Sequence, residues 1–276
     1  MAPPVALTIA GSDPSGGAGV QADLKTFHQH AVYGTAVITL LTVQNTRGVA
    51  RVEPVDAGLV GAQLDALLED IPPAAAKTGA LGSQAVVEVV AERARRFDFP
   101  LVVDPVMISK HGASLLDDGA TRALVDGLLP SSTLVTPNIH EASVLAGREV
   151  RTLAHVRDAA RAIADLGPRG VLVKGGHLAG PPVDVLWWEG ALHEVSGERL
   201  ETRHTHGTGC TYSAAIVAWL ARGAAMPDAV ARAKRWLTEA LRAAPGLGGG
   251  IGPVSHFAPV DGAVAEDPAP DDDEGL

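Results

Sequence analysis

The chain has 276 residues, with 32 acidic against 22 basic side chains and a formal net charge of −10, which excludes a surface that as a whole attracts nucleic acid or anionic lipid. Hydrophobic residues make up 46% and aromatics only 4%, which excludes disorder throughout and predicts a core built mainly of Ala, Val and Leu. A single cysteine excludes an intrachain disulfide, Met1-Ala2-Pro3-Pro4 lacks the charged start of a signal peptide, and the longest apolar run, Ala214 to Ala221, is far short of the ~20 residues of a spanning helix.

Val5 to Ala10 reads as a buried strand ended by the glycine-rich loop Gly11 to Gly19, with a helix from about Val20 to His30. A second strand, Ala36 to Val43, stops at a polar loop, Gln44-Asn45-Thr46-Arg47-Gly48. Leu59/Val60, Gln63/Leu64 and Leu67/Leu68 recur every four residues and predict an amphipathic helix. Ala74 to Lys77 is weakly strand-like, Gln84 to Arg96 helical, and Leu101 to Asp104 a compact strand closed by Asp104-Pro105.

Ile108 to Ala113 is polar and glycine-bearing, a candidate flap, with a helix over Thr121 to Leu129. Strand Leu134 to Thr136 breaks at Pro137-Asn138 before a helix from Glu141, and a further helix covers Leu153 to Leu166. Strand Gly170 to Lys174 ends in Gly175-Gly176-His177, and Val183 to Trp188 with Ala191 to Val195 predicts an edge hairpin. Helices follow over Ser213 to Leu220 and Asp228 to Leu241. Alternating strands and helices predict one α/β domain over residues 1–262 with a mostly parallel sheet covered on both faces. The acidic segment 263–276 is predicted to be a disordered tail.

Candidate sites in such a sheet lie at the C-terminal strand ends. Those ends carry Gly11 to Gly19, Gln44-Asn45, Lys77-Thr78-Gly79, Asp104-Pro105, Thr136-Pro137-Asn138 with Glu141, and Lys174-Gly175-Gly176. Gly17-Ala18-Gly19-Val20-Gln21-Ala22 matches a dinucleotide fingerprint by letters, but its first glycine stands well past the strand end and no acidic residue follows the second strand. Gly11 to Gly16 has P-loop spacing, yet Gly17 stands where the phosphate-binding lysine belongs.

Thr205-His206-Gly207-Thr208-Gly209-Cys210, ahead of the apolar helix, is left as an anion pocket made of loop N–H groups and a helix N-terminus. Phosphoryl transfer needs donors along the phosphate's path, a metal and a group to take the acceptor's proton. Gly207, Thr208 and Gly209 supply donors, Lys174 charge, and Asn138 with Glu141 a seat for hydrated magnesium. Cys210, at a helix N-terminus that lowers a thiol's pKa, is the candidate base. Lys234, on the final helix, is a weaker phosphate candidate that reads more readily as plain surface.

Taken together these segments resemble the ribokinase-like small-molecule kinases, specifically the hydroxymethylpyrimidine/phosphomethylpyrimidine kinases of thiamin biosynthesis. The likeness rests on Ala6 to Gly19 with Gln21 to Thr26, Val43 to Val49, Val103 to Met107, Thr136 to Asn138 with Glu141-Ala142, Val173 to His177, and His206 to Thr211. It implies a ribokinase-like three-layer α/β/α fold with a small edge hairpin, and ATP-dependent phosphorylation of 4-amino-5-hydroxymethyl-2-methylpyrimidine and then of its monophosphate.

By that resemblance Gly207 to Gly209 would form the anion hole, and Cys210 would replace the Asp base of sugar kinases. Gln44 would read the pyrimidine, Asp23 and the Gly11 backbone would hold its hydroxymethyl end, and Val43, Ala80 and Val106 would line its pocket. Asp104, Asn138 and Glu141 would organise Mg2+ and phosphate through water, and Lys174 would contact the ATP phosphates. A monovalent cation is a further candidate cofactor, and a cytoplasmic homodimer without nucleic-acid or membrane partners is implied.

Ala80 stands where the family commonly has Met, and His111 where a Ser is usual, which leaves a pyridoxal or pyridoxine kinase as the rival substrate class. A thiol hydrolase using Cys210 with His206 or His204, and a non-catalytic pyrimidine-binding protein, are the rivals from other classes. The ten histidines, among them His28 and His30, lack the Cys or carboxylate cluster of a zinc site, and Trp187-Trp188 reads as packing or a subunit contact.

Overall fold

The computed structural model describes residues 2–107, 118–176, 178 and 180–260. The candidate flap with His111, the loop residue His177 and the acidic tail lie outside the described residues. The strands are β1 (Val5–Ser12), β2 (Tyr33–Asn45), β3 (Gly48–Pro54), β4 (Ala75–Thr78), β5 (Leu101–Val103), β6 (Leu134–Val135), β7 (Gly170–Val173), β8 (Val183–Trp188) and β9 (Ala191–Ser196). They form one sheet in the order β3-β2-β1-β4-β5-β6-β7-β8-β9. The run from β2 to β7 is parallel, and antiparallel strands close both edges.

The helices are α1 (Gly19–Gln29), α2 (Ala57–Asp70), α3 (Gln84–Ala94), α4 (Asp118–Ala123), α5 (Ile139–Leu145), α6 (Leu153–Ala164), α7 (Thr208–Ala221) and α8 (Met226–Arg242). Successive strand residues point to opposite faces, so the central strands must be apolar at every position once both faces are covered. Leu7, Ala76, Val103 and Val135 pack against α2, α3, α5 and α6, whereas Ala6, Ala75, Val102 and Leu134 pack against α1, α7 and α8. The result is the three-layer α/β/α arrangement with a hairpin of β8 and β9 at one edge.

The chain leaves β1 for β2 on one side and returns to β4 on the other, so the direction of winding reverses between β1 and β4. A crevice opens beyond the carboxyl ends of strands at such a point. Helix α7 lies over β1, β4 and β5, and its N-terminus faces that crevice.

Two elements differ from the sequence expectation. The polar stretch after Val43 is the turn of a β2–β3 hairpin rather than a loop, with Leu41 and Val43 exposed on its outer side. Helix α7 starts at Thr208, five residues ahead of the expected start, because Gly207 turns the chain in the left-handed region and Thr211 N–H already donates to Gly207 C=O at 2.8 Å.

His30 occupies the α1–α7–α8 interface. Its Nδ1 lies 2.8 Å from Thr26 C=O and its ring meets Trp219 and Trp236 edge-on. Burial pushes the pKa of His30, and likewise that of His256, down to about 4. The unfolded chain, with histidine near 6.5, therefore binds more protons than the folded one between about pH 6.5 and about 4. Stability is predicted to fall as pH drops through that window, and His30→Gln to flatten part of the fall. Urea unfolding midpoints across the window check this, and an unchanged pH dependence in the variant would exclude His30 as a source.

Candidate active site

Gly207 caps α7 with φ 75° and ψ 8°, a conformation that L side chains rarely adopt. A methyl group there would also overlap the Gly17 carbonyl oxygen. The loop and the β1–α1 turn therefore meet backbone to backbone, and the Gly209 and Cys210 N–H groups, which the helix cannot use itself, stand at its N-terminus. Thr208 is tied down by its hydroxyl, which donates to Thr205 C=O at 3.2 Å.

Two lysines flank this turn. Lys174, just past β7, donates to Asp104 Oδ1 at 2.8 Å, and Thr136 Oγ1 and Ser213 Oγ also donate to the Asp104 carboxylate. A methyl group on Gly209 would lie 3.5 Å from Lys174 Nζ and 3.6 Å from Asp104 Oδ2, so this pair borders the loop directly. Burial opposes the charge on Asp104, but Lys174 and Lys77 outweigh it and hold the carboxyl below its ordinary range. The second lysine, Lys77 on β4, is wholly buried, donating to Asp23 Oδ1 at 2.8 Å and to Cys210 C=O at 3.4 Å.

Asn138 and Glu141 form a reciprocal capping box at α5, Asn138 N–H donating to Glu141 Oε2 at 2.7 Å and Glu141 N–H to Asn138 Oδ1 at 3.0 Å. Burial raises Glu141 to about pKa 7 against the attraction of Lys174, with the Asp104 charge adding to the rise. The donor set Asp104, Glu141 and Asn138 is all oxygen and suits magnesium, but its atoms already accept protein hydrogen bonds. It therefore fits a hydrated ion held through water rather than a stripped one.

On the opposite side, Asp13 binds the β1–α1 turn, accepting from Ser15 N–H, Ser15 Oγ and Ala18 N–H at 2.9 Å each. Its Oδ2 is 2.7 Å from His206 Nε2, which is also 3.2 Å from the Gln44 side-chain amide. Burial opposes its charge, but the His206 and Ser15 contacts prevail and hold Asp13 below its ordinary range. The residue preceding Gly207 thus joins the end of β2 to the loop.

Gln44, Ala80 and Val106 are half-buried at the strand ends, Gly207, Thr208, Gly209 and Cys210 are half-buried at the start of α7, Val43 is exposed on the hairpin, and Gly11 is buried within β1. Three expectations need correction. Asp23 does not face the crevice: both its oxygens are engaged inside the protein, by Lys77 and by Thr8 Oγ1 at 2.6 Å. Lys234 is not a surface residue, since it is buried with Asp184, 2.7 Å away.

The third correction concerns Cys210, whose thiol is pushed up to about 11 by burial rather than lowered. The pull of Lys77 and a Gly19 N–H bond is outweighed by desolvation together with Asp23 and Asp104. Lys77 and the Asp13–His206 pair are side chains bordering this loop that the sequence reading did not assign. A lysine inside the four-residue strand Ala75–Thr78 was the available signal for the first. The second joins residues 193 positions apart and leaves no local pattern.

The family described as phosphomethylpyrimidine kinase matches residues 13–255. The hydroxymethylpyrimidine/phosphomethylpyrimidine kinase of Synechococcus elongatus is 49% identical over 262 residues, covering 94% of this chain and 100% of that protein. Among solved structures, the ADP complex of Bacillus subtilis pyridoxal kinase superposes with a TM-score of 0.86 at 38% identity, covering 92% of this chain and 98% of that one. The phosphomethylpyrimidine kinase of Clostridium difficile gives 0.77 at 41% identity, covering 86% and 99%.

Gly207→Ala is predicted to cost about 1–3 kcal/mol or more, from the strained backbone and the clash with Gly17. Gly176→Ala, where a methyl group meets nothing within 4 Å, serves as the control. Thermal melts of the two variants check the difference, and equal melting temperatures would refute the tight loop contact.

Proposed function

The chain belongs to the phosphomethylpyrimidine kinase family, and from that membership we propose that it phosphorylates 4-amino-5-hydroxymethyl-2-methylpyrimidine with ATP. The monophosphate would then be carried to the diphosphate in the same site, as a step of thiamin biosynthesis. The observation that carries this reading is the glycine loop Gly207 to Cys210 at the start of α7, bordered by the Lys174–Asp104 pair and linked through His206 to Gln44.

In this reading Gln44 contacts the pyrimidine, with Val43, Ala80 and Val106 around it and the Gly11 backbone near the hydroxymethyl end. Asp23, enclosed with Lys77, holds the site from behind instead of touching substrate. The hydroxymethyl oxygen attacks the γ-phosphorus, the bond from that phosphorus to the bridging oxygen breaks to leave ADP, and the acceptor proton goes to the Cys210 thiolate. The Gly209 and Cys210 N–H groups and Lys174 meet the charge on the transferring group.

Asp104, Glu141 and Asn138 would hold Mg2+ through water, and the ion, when bound, neutralises polyphosphate charge. Among the described residues no helix is long and apolar enough to cross a membrane. The proposal includes a cytoplasmic homodimer.

Phosphorylated pyrimidine, detected by mass spectrometry after incubation with ATP and magnesium, is the direct test, and its absence would refute the reading. Cys210→Ala should lower kcat by about 10²–10⁴-fold, the usual worth of a general base. Because burial places the thiol near 11, the wild-type rate should climb with pH through the neutral range. Cys210→Asp, ionised throughout, should keep part of the rate and flatten the profile. A profile unchanged in Cys210→Asp would remove Cys210 as the base.

The likeness to pyridoxal kinase structures supports a second reading in which a pyridoxal-type substrate is used. A competition of pyridoxal with hydroxymethylpyrimidine separates the two. The pyrimidine should win by about tenfold or more in kcat/KM, a preference of ~1.4 kcal/mol.

A further inference from the structure

Lys77 is a wholly enclosed charged group beneath the first turn of α7. Its side chain and that of Asp23 are both 0% exposed, and Thr8, Asp23, Lys77 and the Cys210 carbonyl form one hydrogen-bonded line. A dry ion pair of this kind contributes little net stability, and apolar substitutes often do as well. Its orientation is what matters: the carboxylate lies toward α1 and the ammonium toward the first turn of α7.

Four charged groups face Cys210: Lys77 from β4, Asp23 from α1, Asp104 beyond β5 and Lys174 beyond β7. Of the two cations, Lys174 is partly exposed and borders the outer side of the loop, whereas Lys77 acts through a wholly dry medium where its field is hardly screened.

We propose that Lys77 is a positioning residue for phosphoryl transfer: its ammonium fixes the Cys210 carbonyl and stabilises negative charge on the Cys210 sulfur, while Asp23 sets how much of that charge is felt. Burial would discharge Lys77, but Asp23, the Cys210 sulfur and Asp104 around it together more than reverse this and keep the ammonium charged above its ordinary range. Asp23 therefore acts on the reaction at one remove, through Lys77. The catalytic meaning rests on the reading of Cys210 as base; the electrostatic effect itself is present in the free protein.

Cys210 is the chain's single cysteine, so iodoacetamide labelling read by intact mass reports this sulfur alone. The thiolate displaces iodide, so at fixed pH the rate follows the thiolate fraction. Asp23→Asn keeps the lysine, whose charge Asp104 and the sulfur itself still favour, and removes its screen, and should speed labelling by about tenfold, one pKa unit. Lys77→Gln combined with Asp23→Asn removes both charges while keeping hydrogen-bonding groups in place, and should slow labelling below wild type. In urea the three rates should converge.

A purely structural lysine would lower the melting temperature and leave the labelling rates of the folded proteins alike. Equal rates, or shifts of both variants in the same direction, would overturn the proposal. Should the double variant fail to fold, Asp23→Asn alone decides, an unchanged or slower rate overturning it. Undiminished turnover in Cys210→Ala would sink the base assignment without altering the labelling result, so the two readings fail separately.

Discussion

The site depends on one constraint: a chain of net charge −10 must hold polyphosphate at a single point without a field over the whole surface to help it. The fold meets this where the sheet changes its winding direction. There the N-terminus of α7 points into the crevice, and a lysine on each side of its first turn is tied to a carboxylate of its own. Lys174 with Asp104 forms the outer border and Lys77 with Asp23 the inner support. Each pair is neutral in sum, so burying it is tolerable; the inner pair presents its ammonium to the Cys210 carbonyl, and the outer pair borders Gly209 with both of its ends. Ser213 adds a further tie, its hydroxyl lying between Asp104 and the carbonyls of Gly209 and Cys210.

Much of this was legible because strand ends and glycine turns are local signals. The apolar runs located the parallel strands, and the residues that follow them, from Gln44 to Lys174, fell at one edge of the sheet, as the topology requires. The glycine pair around Thr208 located the anion loop. What local pattern could not carry was direction. Asp23 lies three residues after Val20 and four before Phe27, on the buried stripe of α1, and that spacing already implied an enclosed carboxylate in need of a cation. Lys77 inside a fully buried strand was the matching half.

For Cys210 the helix N-terminus argument was sound in sign but too small. A helix end contributes roughly half a charge, screened by whatever lies within the first turn. Loss of water around the sulfur and two nearby carboxylates act in the opposite direction at comparable range, and the balance falls to the neutral thiol. The β2–β3 hairpin escaped for a different reason: its outer residues are exposed and its turn is polar, so its sequence reads as loop although the backbone still pairs.

Recognition and transfer are not independent in this arrangement, because His206 and Gly207 are consecutive. The carboxylate of Asp13 can only accept, so the ring nitrogen facing it carries the proton, and the imidazole is anchored to the β1–α1 turn. The same nitrogen lies against the Gln44 amide, and the next residue in the chain packs its α-carbon on Gly17 of that turn. Any shift of His206 therefore changes its contact with the amide and moves the anion loop with it. One fixed imidazole thus sets the distance between the group that would read the pyrimidine ring and the donors that would receive the phosphoryl group. In a site asked to accept both an alcohol and a phosphate at the same ring position, the ring must stay in register with the loop while the acceptor lengthens by one phosphate. Backbone contact between Gly207 and Gly17 supplies that register in a way no flexible side chain could.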